Sequence, residues 1–276
     1  MSAAPVELHV EIDQAGASAV DVLAQASALS KQKIKLAMAR GAVWLTVGTN
    51  TKRLRRAKKT PVPGSTLHLY YDPGILEEQP LPAELVADEH RYSVWYKPYG
   101  MLSQGSKWGD HCALYRWVEQ NVWPARKSYI VHRLDRAATG LMLLAHDKKA
   151  ASALAALFER RAMKKSYRVM VHGHTPASLT MRGQLDERAA ITHAKLIAYA
   201  QTVDCSLLDI DIETGRKHQI RRHLAAAGFP VVGDRLYGRP EDLDNLQLTA
   251  CRLQFECPLT SETKEYRLNQ ALLPAL

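Results

Sequence analysis

The amino-acid sequence predicts an α+β protein in two unequal parts. Two observations carry this. Short alternating strands recur in the second part without a helix after each one, which favours a large sheet with helices on one side over an alternating parallel fold. A stretch holding Pro80, Pro82, Glu77, Glu78, Glu84, Asp88 and Glu89 interrupts the pattern and has the composition of an extended linker. The expected organisation is a small α+β unit over residues 1–72, a linker over 73–90, and a larger domain over 91–276.

Composition narrows the function classes. The 276 residues are 46% hydrophobic, ordinary for a globular chain, and carry a formal net charge of +9. That excess favours a polyanionic partner. No apolar run approaches a membrane span. Glu7, Glu11 and Asp13, with no long apolar core, argue against a signal peptide. Cys112, Cys205, Cys251 and Cys257 lack CxxC spacing and read as reduced cytosolic thiols. The histidines show no HxxxH or HExxH pattern, so no metal is expected.

In the first part, Val6, Leu8, Val10 and Ile12 alternate with polar residues as a half-buried strand does. Residues 18–28 read as a helix. Ser30 is a natural N-cap for a second helix, and Gly41 a natural stop. On that helix Ile34, Ala37 and Met38 form one apolar face, leaving Lys31, Lys33, Lys35 and Arg40 to solvent. Strands are expected over 42–47 and 66–71. Between them the block 52–59 includes Arg53, Arg55 and Arg56. Such a run is either a solvated loop or a phosphate contact.

In the second part, residues 92–97 read as a strand, 113–122 as a helix, and Leu141–Ala145 as a short buried strand. Asp135 sits in the loop before that strand, between Arg133 and Arg136. It could cap a turn or pair with a neighbouring arginine. It could also be a carboxylate held at the rim of a cleft. Asp147 is a candidate N-cap for a helix along Ala150, Leu154 and Leu157. A strand follows in which Tyr167, Val169 and Val171 share a face, where a tyrosine commonly fills a core edge. Further strands are expected over 192–199 and 203–213. A helix is expected after Gly215, with Ile220 and Leu224 buried, His218 beside Arg221, and Gly228 as its stop. That helix is either a solvated basic helix or one whose arginines recognise phosphate or carboxylate.

Two resemblances sharpen these readings. Leu29-Ser30-Lys31 to Lys35, Gly41-Ala42-Val43 and Pro63-Gly64-Ser65 resemble the RNA-binding domain named after the fourth protein of the small ribosomal subunit. That resemblance implies an RNA-facing side holding Lys33, Arg40, Arg55 and Arg56. From Tyr92 onward the chain resembles the RluA-type pseudouridine synthases. The matching blocks are His132-Arg133-Leu134-Asp135 with Gly140-Leu141, Lys164-Lys165-Ser166-Tyr167, Gly215-Arg216-Lys217-His218-Gln219-Ile220-Arg221, and Gly233-Asp234-Arg235-Leu236-Tyr237-Gly238. Four blocks in order are more specific than any one.

The second resemblance implies a mixed, mainly antiparallel sheet with an RNA cleft. It implies isomerisation of uridine to pseudouridine in structured ribosomal or transfer RNA, with no cofactor and no metal. By resemblance Asp135 is the catalytic carboxylate, Arg221 its ion-pair partner, and Tyr167 the residue against the base. Arg133 enters the RNA, and His218 contacts it. The chemistry suits these types: a carboxylate attacks ribose carbon 1 or removes the proton at carbon 2, and a nearby arginine counters the cost of burying the anion. Three positions depart from the family pattern: Ala138 for threonine, Thr249 for histidine, and Cys257 for histidine. The expected protein is a monomeric, cytoplasmic enzyme with no membrane partner. Alternatives are a non-catalytic RNA-binding or ribosome-assembly protein on the same scaffold, and a nucleosidase-like hydrolase using Asp135.

Overall fold

The computed structural model describes residues 4–276. The chain forms two compact units, one running up to Pro80 and taking in Gln104–Trp117, the other comprising Leu81–Ser103 and Val118–Leu276.

The first unit holds β1 (Val6–Glu11), α1 (Ala19–Ser27), α2 (Lys31–Ala39), β2 (Val43–Val47), β3 (Asn50–Arg53), β4 (Thr66–Tyr71) and α3 (Pro73–Leu76). Its antiparallel sheet has the order β1-β4-β2-β3. The second long helix starts where its expected cap, Ser30, places it, and the first has a serine cap as well. Ser18 accepts from the Asp21 amide and Ser30 from the Lys33 amide, each satisfying a donor that the first turn leaves unpaired. Leu23, Ile34, Met38, Leu67 and Leu69 are fully buried between helices and sheet. Gly41 ends α2 at φ +81°, and a side chain there would strike the Asp110 carboxylate. Asp110, on the segment Gln104–Trp117, is 1% exposed and is held by Arg53, Arg55 and the Tyr115 hydroxyl.

In the stretch expected to be a linker, Asp72 caps α3. The second unit then opens with β5 (Glu84–Asp88), paired to β6 (Tyr92–Lys97). An edge strand tolerates the charges that had suggested a linker. Then come α4 (Leu114–Asn121), whose first turn falls in the first unit, β7 (Tyr129–Ile130), β8 (Thr139–Ala145), α5 (Lys148–Glu159), β9 (Lys164–His172), β10 (Ser178–Leu185), β11 (Arg188–Ala200), β12 (Cys205–Ile212), α6 (Gln219–Ala226), β13 (Leu248–Glu256) and β14 (Thr263–Arg267). They build a ten-stranded sheet in the order β10-β11-β12-β9-β13-β8-β6-β5, with β14 on β13 and β7 on β8.

The sheet is mixed and mainly antiparallel. Its parallel pairing joins β8 to β13, with Thr139 opposite Thr249 and Gly140 opposite Ala250. Gly140 sits at φ +120°, and a Cβ there would lie 2.4 Å from the Ala250 backbone. Only glycine lets the two strands approach this closely. Leu141–Ala145 is wholly buried, as the uninterrupted apolar run predicts. Among the described residues no helix is long and apolar enough to cross a membrane.

Candidate active site

Asp135 lies on the loop between β7 and β8, and backbone contacts on several sides hold that loop. The Lys97 ammonium, fully buried at the end of β6, donates to the carbonyls of Pro98, Met101 and Arg136 at 3.2, 2.9 and 3.2 Å. Burial pushes its pKa down to about 7, and the charge of Asp135 opposes the fall. The Ser103 hydroxyl donates to the Leu134 carbonyl and accepts from the Leu134 amide. His132 also serves the loop. Its Nε2 accepts from the Leu143 amide, and its ring stacks on Phe158 with centroids 4.3 Å apart. Burial drives its pKa down to about 3, so it is a neutral structural imidazole. Arg133 points into solvent from the same loop.

Arg221 reaches Asp135 from α6. Its Nη1 donates to Asp135 Oδ2 at 3.3 Å. The stronger grip is on Asp234: Nε and Nη2 donate to its two carboxylate oxygens at 2.7 and 2.6 Å. The Arg221 and Asp234 side chains are 5% and 0% exposed, against 25% for Asp135. Burial works against the Arg221 cation, but the hydrogen bonds and charge of Asp234, with that of Asp135, outweigh it and raise its pKa. Burial likewise pushes Asp234 up, but Arg221 and the amides of Leu236 and Tyr237 hold it below the usual carboxylate range. The sequence reading paired Arg221 with Asp135 alone. Asp234 was visible only as part of a motif, because a partner thirteen residues away across a turn leaves no local signature.

His218 does not lie on the helix. It precedes α6 in the left-handed region at φ 54°. The helix starts late because the Gln219 side chain ties up the preceding turn. It accepts from the Thr214 hydroxyl and the Arg216 amide, and donates to Ile191 and Thr192 of β11. His218 Nε2 stands 3.8 Å from Asp135 Oδ1, while Nδ1 bonds the Tyr237 hydroxyl at 3.0 Å. Burial lowers its pKa, and Asp135 opposes that.

Tyr167 is central in the sheet, on β9 between β12 and β13. Burial first, then the charge of Asp135, push its phenol well above the usual range. A pocket of about 200 Å³ opens over Asp135 and Arg221, lined also by Tyr99, His218, Leu236 and Leu246. Tyr167 does not line that pocket. Among the described residues no group of three His, Cys, Asp or Glu side chains could hold a metal.

The three departures from the family pattern are accommodated. Ala138 packs in the apolar cluster with Tyr167 and Ala250. Thr249 shares a 2.7 Å hydrogen bond with Thr139 across the parallel pair. Cys257 is fully buried at the corner joining β13 and β14.

In the first unit, Lys33 and Arg56 are exposed and Arg40 is half-buried. Arg55 is partnered within its own unit. Its guanidinium is engaged by the Asp110 carboxylate and the Ala39 carbonyl.

Comparison with known proteins places this geometry. The RNA pseudouridylate synthase family matches residues 91–226. The dual-specificity RNA pseudouridine synthase RluA of Vibrio vulnificus is 30% identical over 196 residues, which cover 62% of this chain and 76% of that protein. The chain belongs to the RNA pseudouridine synthase family. Another synthase of the family, an uncharacterized one from Chloroflexus aurantiacus, is 33% identical over 214 residues. The match covers 67% of this chain and 65% of that protein, so the chain spans just under two thirds of that relative. The solved structure of human RNA Pseudouridylate Synthase Domain Containing 1 shares the synthase fold, with a TM-score of 0.60 at 21% identity over 70% of this chain and 85% of that one.

Proposed function

We propose that this protein isomerises uridine to pseudouridine in structured ribosomal or transfer RNA, with Asp135 as the nucleophile. One observation carries the reading: a partly exposed carboxylate at a pocket is met by an arginine that a second, buried carboxylate locks in place. Arg221 aims Asp135. The target uridine leaves its stack at a cost of about a few kcal/mol, and the exposed Arg133 takes the vacated space. Asp135 attacks ribose carbon 1 or takes the proton at carbon 2. The bond from carbon 1 to base nitrogen 1 breaks. The uracil turns, and carbon 5 bonds to carbon 1 as the bond from Asp135 to carbon 1 breaks or, on the other route, as Asp135 returns the proton to carbon 2; the carbon 5 proton leaves and base nitrogen 1 takes one up. Tyr167 stacks on the base and assists that step, or holds the group that does.

The first unit supports RNA capture. Its α1–α2 pair presents Lys31, Lys33 and Lys35 to solvent over a four-stranded sheet, in keeping with the RNA-binding domain of the fourth small-subunit protein. An RNA substrate implies a cytoplasmic setting. A non-catalytic scaffold protein would have no need of the Asp135–Arg221–Asp234 arrangement.

The test is a pseudouridine map of bulk RNA from a strain lacking the gene, after incubation with the protein. The parent should create new pseudouridines, and Asp135→Asn none, while its fold and RNA affinity stay near those of the parent. Activity of Asp135→Asn within a few-fold of the parent would remove Asp135 as nucleophile.

A further inference from the structure

We propose that His172 and Asp242 form a positioning pair for the chemistry at Asp135, fixing the turn that carries Asp234. The inference rests on the reading of the Asp135 site as the catalytic centre. It begins with an anchor in an otherwise exposed stretch. Residues 235–245 are largely open to solvent, yet the Asp242 side chain is only 10% exposed and faces a His172 side chain that is 11% exposed.

One oxygen of Asp242 does two things. Oδ2 accepts from His172 Nε2 at 2.9 Å and from the Gly233 amide at 2.9 Å. Gly233 is held on its other side as well: it sits at φ +75°, and a Cβ would lie 2.4 Å from the Asn245 carbonyl oxygen. The next residue is Asp234. Its carboxylate takes both prongs of Arg221, and its carbonyl accepts from the Gly238 amide at 2.8 Å. Asp242 therefore closes the base of the turn that aims Arg221.

His172 is a fixed post for this closure. It ends β9, the strand that also carries Tyr167, and its amide donates to the Pro230 carbonyl at 3.0 Å. Its second ring nitrogen, Nδ1, lies 3.9 Å from Cys205 Sγ, which leaves Nε2 directed at Asp242. Neither His172 nor Asp242 lines the pocket at Asp135. Their effect on the reaction passes through Gly233, Asp234 and Arg221, and so is one of position. Misplacing a group in such a chain by about 1 Å costs on the order of 100-fold in rate.

The experiment is single-turnover pseudouridine formation at saturating enzyme, on bulk RNA from a strain lacking the gene. An active parent and an inactive Asp135→Asn variant are established first. If that step fails, the reading of the site is at fault rather than the pair. Asp242→Ala should then lower the rate roughly 10- to 100-fold, with RNA affinity within about twofold of the parent. Asp242→Asn keeps an oxygen for the Gly233 amide and should recover most of the loss. In an Arg221→Lys background the Asp242→Ala loss should shrink to under about threefold, because both changes act through one guanidinium. A parent rate for Asp242→Ala, or an equal loss in both backgrounds, overturns the proposal. Should Asp242→Ala fail to fold, His172→Gln and His172→Leu give the same comparison. The glutamine amide can still donate to Asp242, so it should outperform leucine in rate. Equal rates for the two, in folded protein, also overturn the proposal.

Discussion

Arg221 and Asp234 form a two-pronged ion pair that is almost wholly buried, and the guanidinium nitrogen they leave over is the one that faces Asp135. The arginine thus has a structural partner and a functional one. Their unequal distances, 2.6 and 2.7 Å against 3.3 Å, show which holds it in place.

Arg221→Met should do two kinds of damage. It strips the cation from Asp135, so activity should fall sharply. It also leaves Asp234 buried and unpaired, at a cost of about 3–5 kcal/mol in stability. Arg221→Lys should retain more of both, yet stay below the parent, because an ammonium cannot match two carboxylate oxygens at once. Denaturant unfolding alongside single-turnover rates separates the two effects. A Met variant with parent stability would contradict the pairing.

Asp234→Asn should reduce activity without touching any residue expected to contact RNA. The amide keeps one acceptor but loses the charge that raises the Arg221 pKa. The pH dependence has a definite sign. Asp234 is held below the usual carboxylate range, so its contribution is present above the unfolded carboxylate pKa and is lost as pH falls through the folded value. The stability gap between parent and Asp234→Asn, followed by urea unfolding, should therefore narrow on acidification. A gap that widens would refute this account.

Lys97→Met should leave three buried carbonyls without their donor, and each orphaned group costs about 1–3 kcal/mol. The pH signature has the same sign as that of Asp234 but falls in the neutral-to-alkaline range. The Lys97 pKa falls from an ordinary 10.5 to about 7 on folding. Between those values the unfolded chain binds more protons, so the stabilising contribution of Lys97 grows as pH rises from about 7 and is complete only above the unfolded value. Unfolding of parent and variant at near-neutral and at alkaline pH should show a larger gap at the higher pH.

Removing residues up to Asp72 should not release an intact remainder. The deletion takes away Arg53 and Arg55 and leaves the buried Asp110 with the Tyr115 hydroxyl. Adding Asp110→Asn should therefore raise the melting temperature of the truncated chain while lowering that of the full chain. The same sign in both chains would mean that the two arginines do not compensate Asp110.

Much of this protein was legible in the sequence by itself. The caps at Ser30 and Asp147, the buried run Leu141–Ala145, and the α+β class follow from local rules that need no knowledge of distant residues. Asp135 and Arg221 were named from motifs, and they do meet. What only the tertiary structure decided involves partners far apart in the chain. A β-strand takes its stability from neighbours that sequence order does not identify, so β10, β13 and β14 escaped notice, and β5 was taken for a linker. Charges behave the same way. The sequence showed Arg55 only as part of a basic block, and the fold pairs it with Asp110, from a segment fifty-five residues later. The lock on Arg221 by Asp234 was hidden for the same reason: an ion pair is set by where two side chains converge in the fold, and local sequence records only that each is charged.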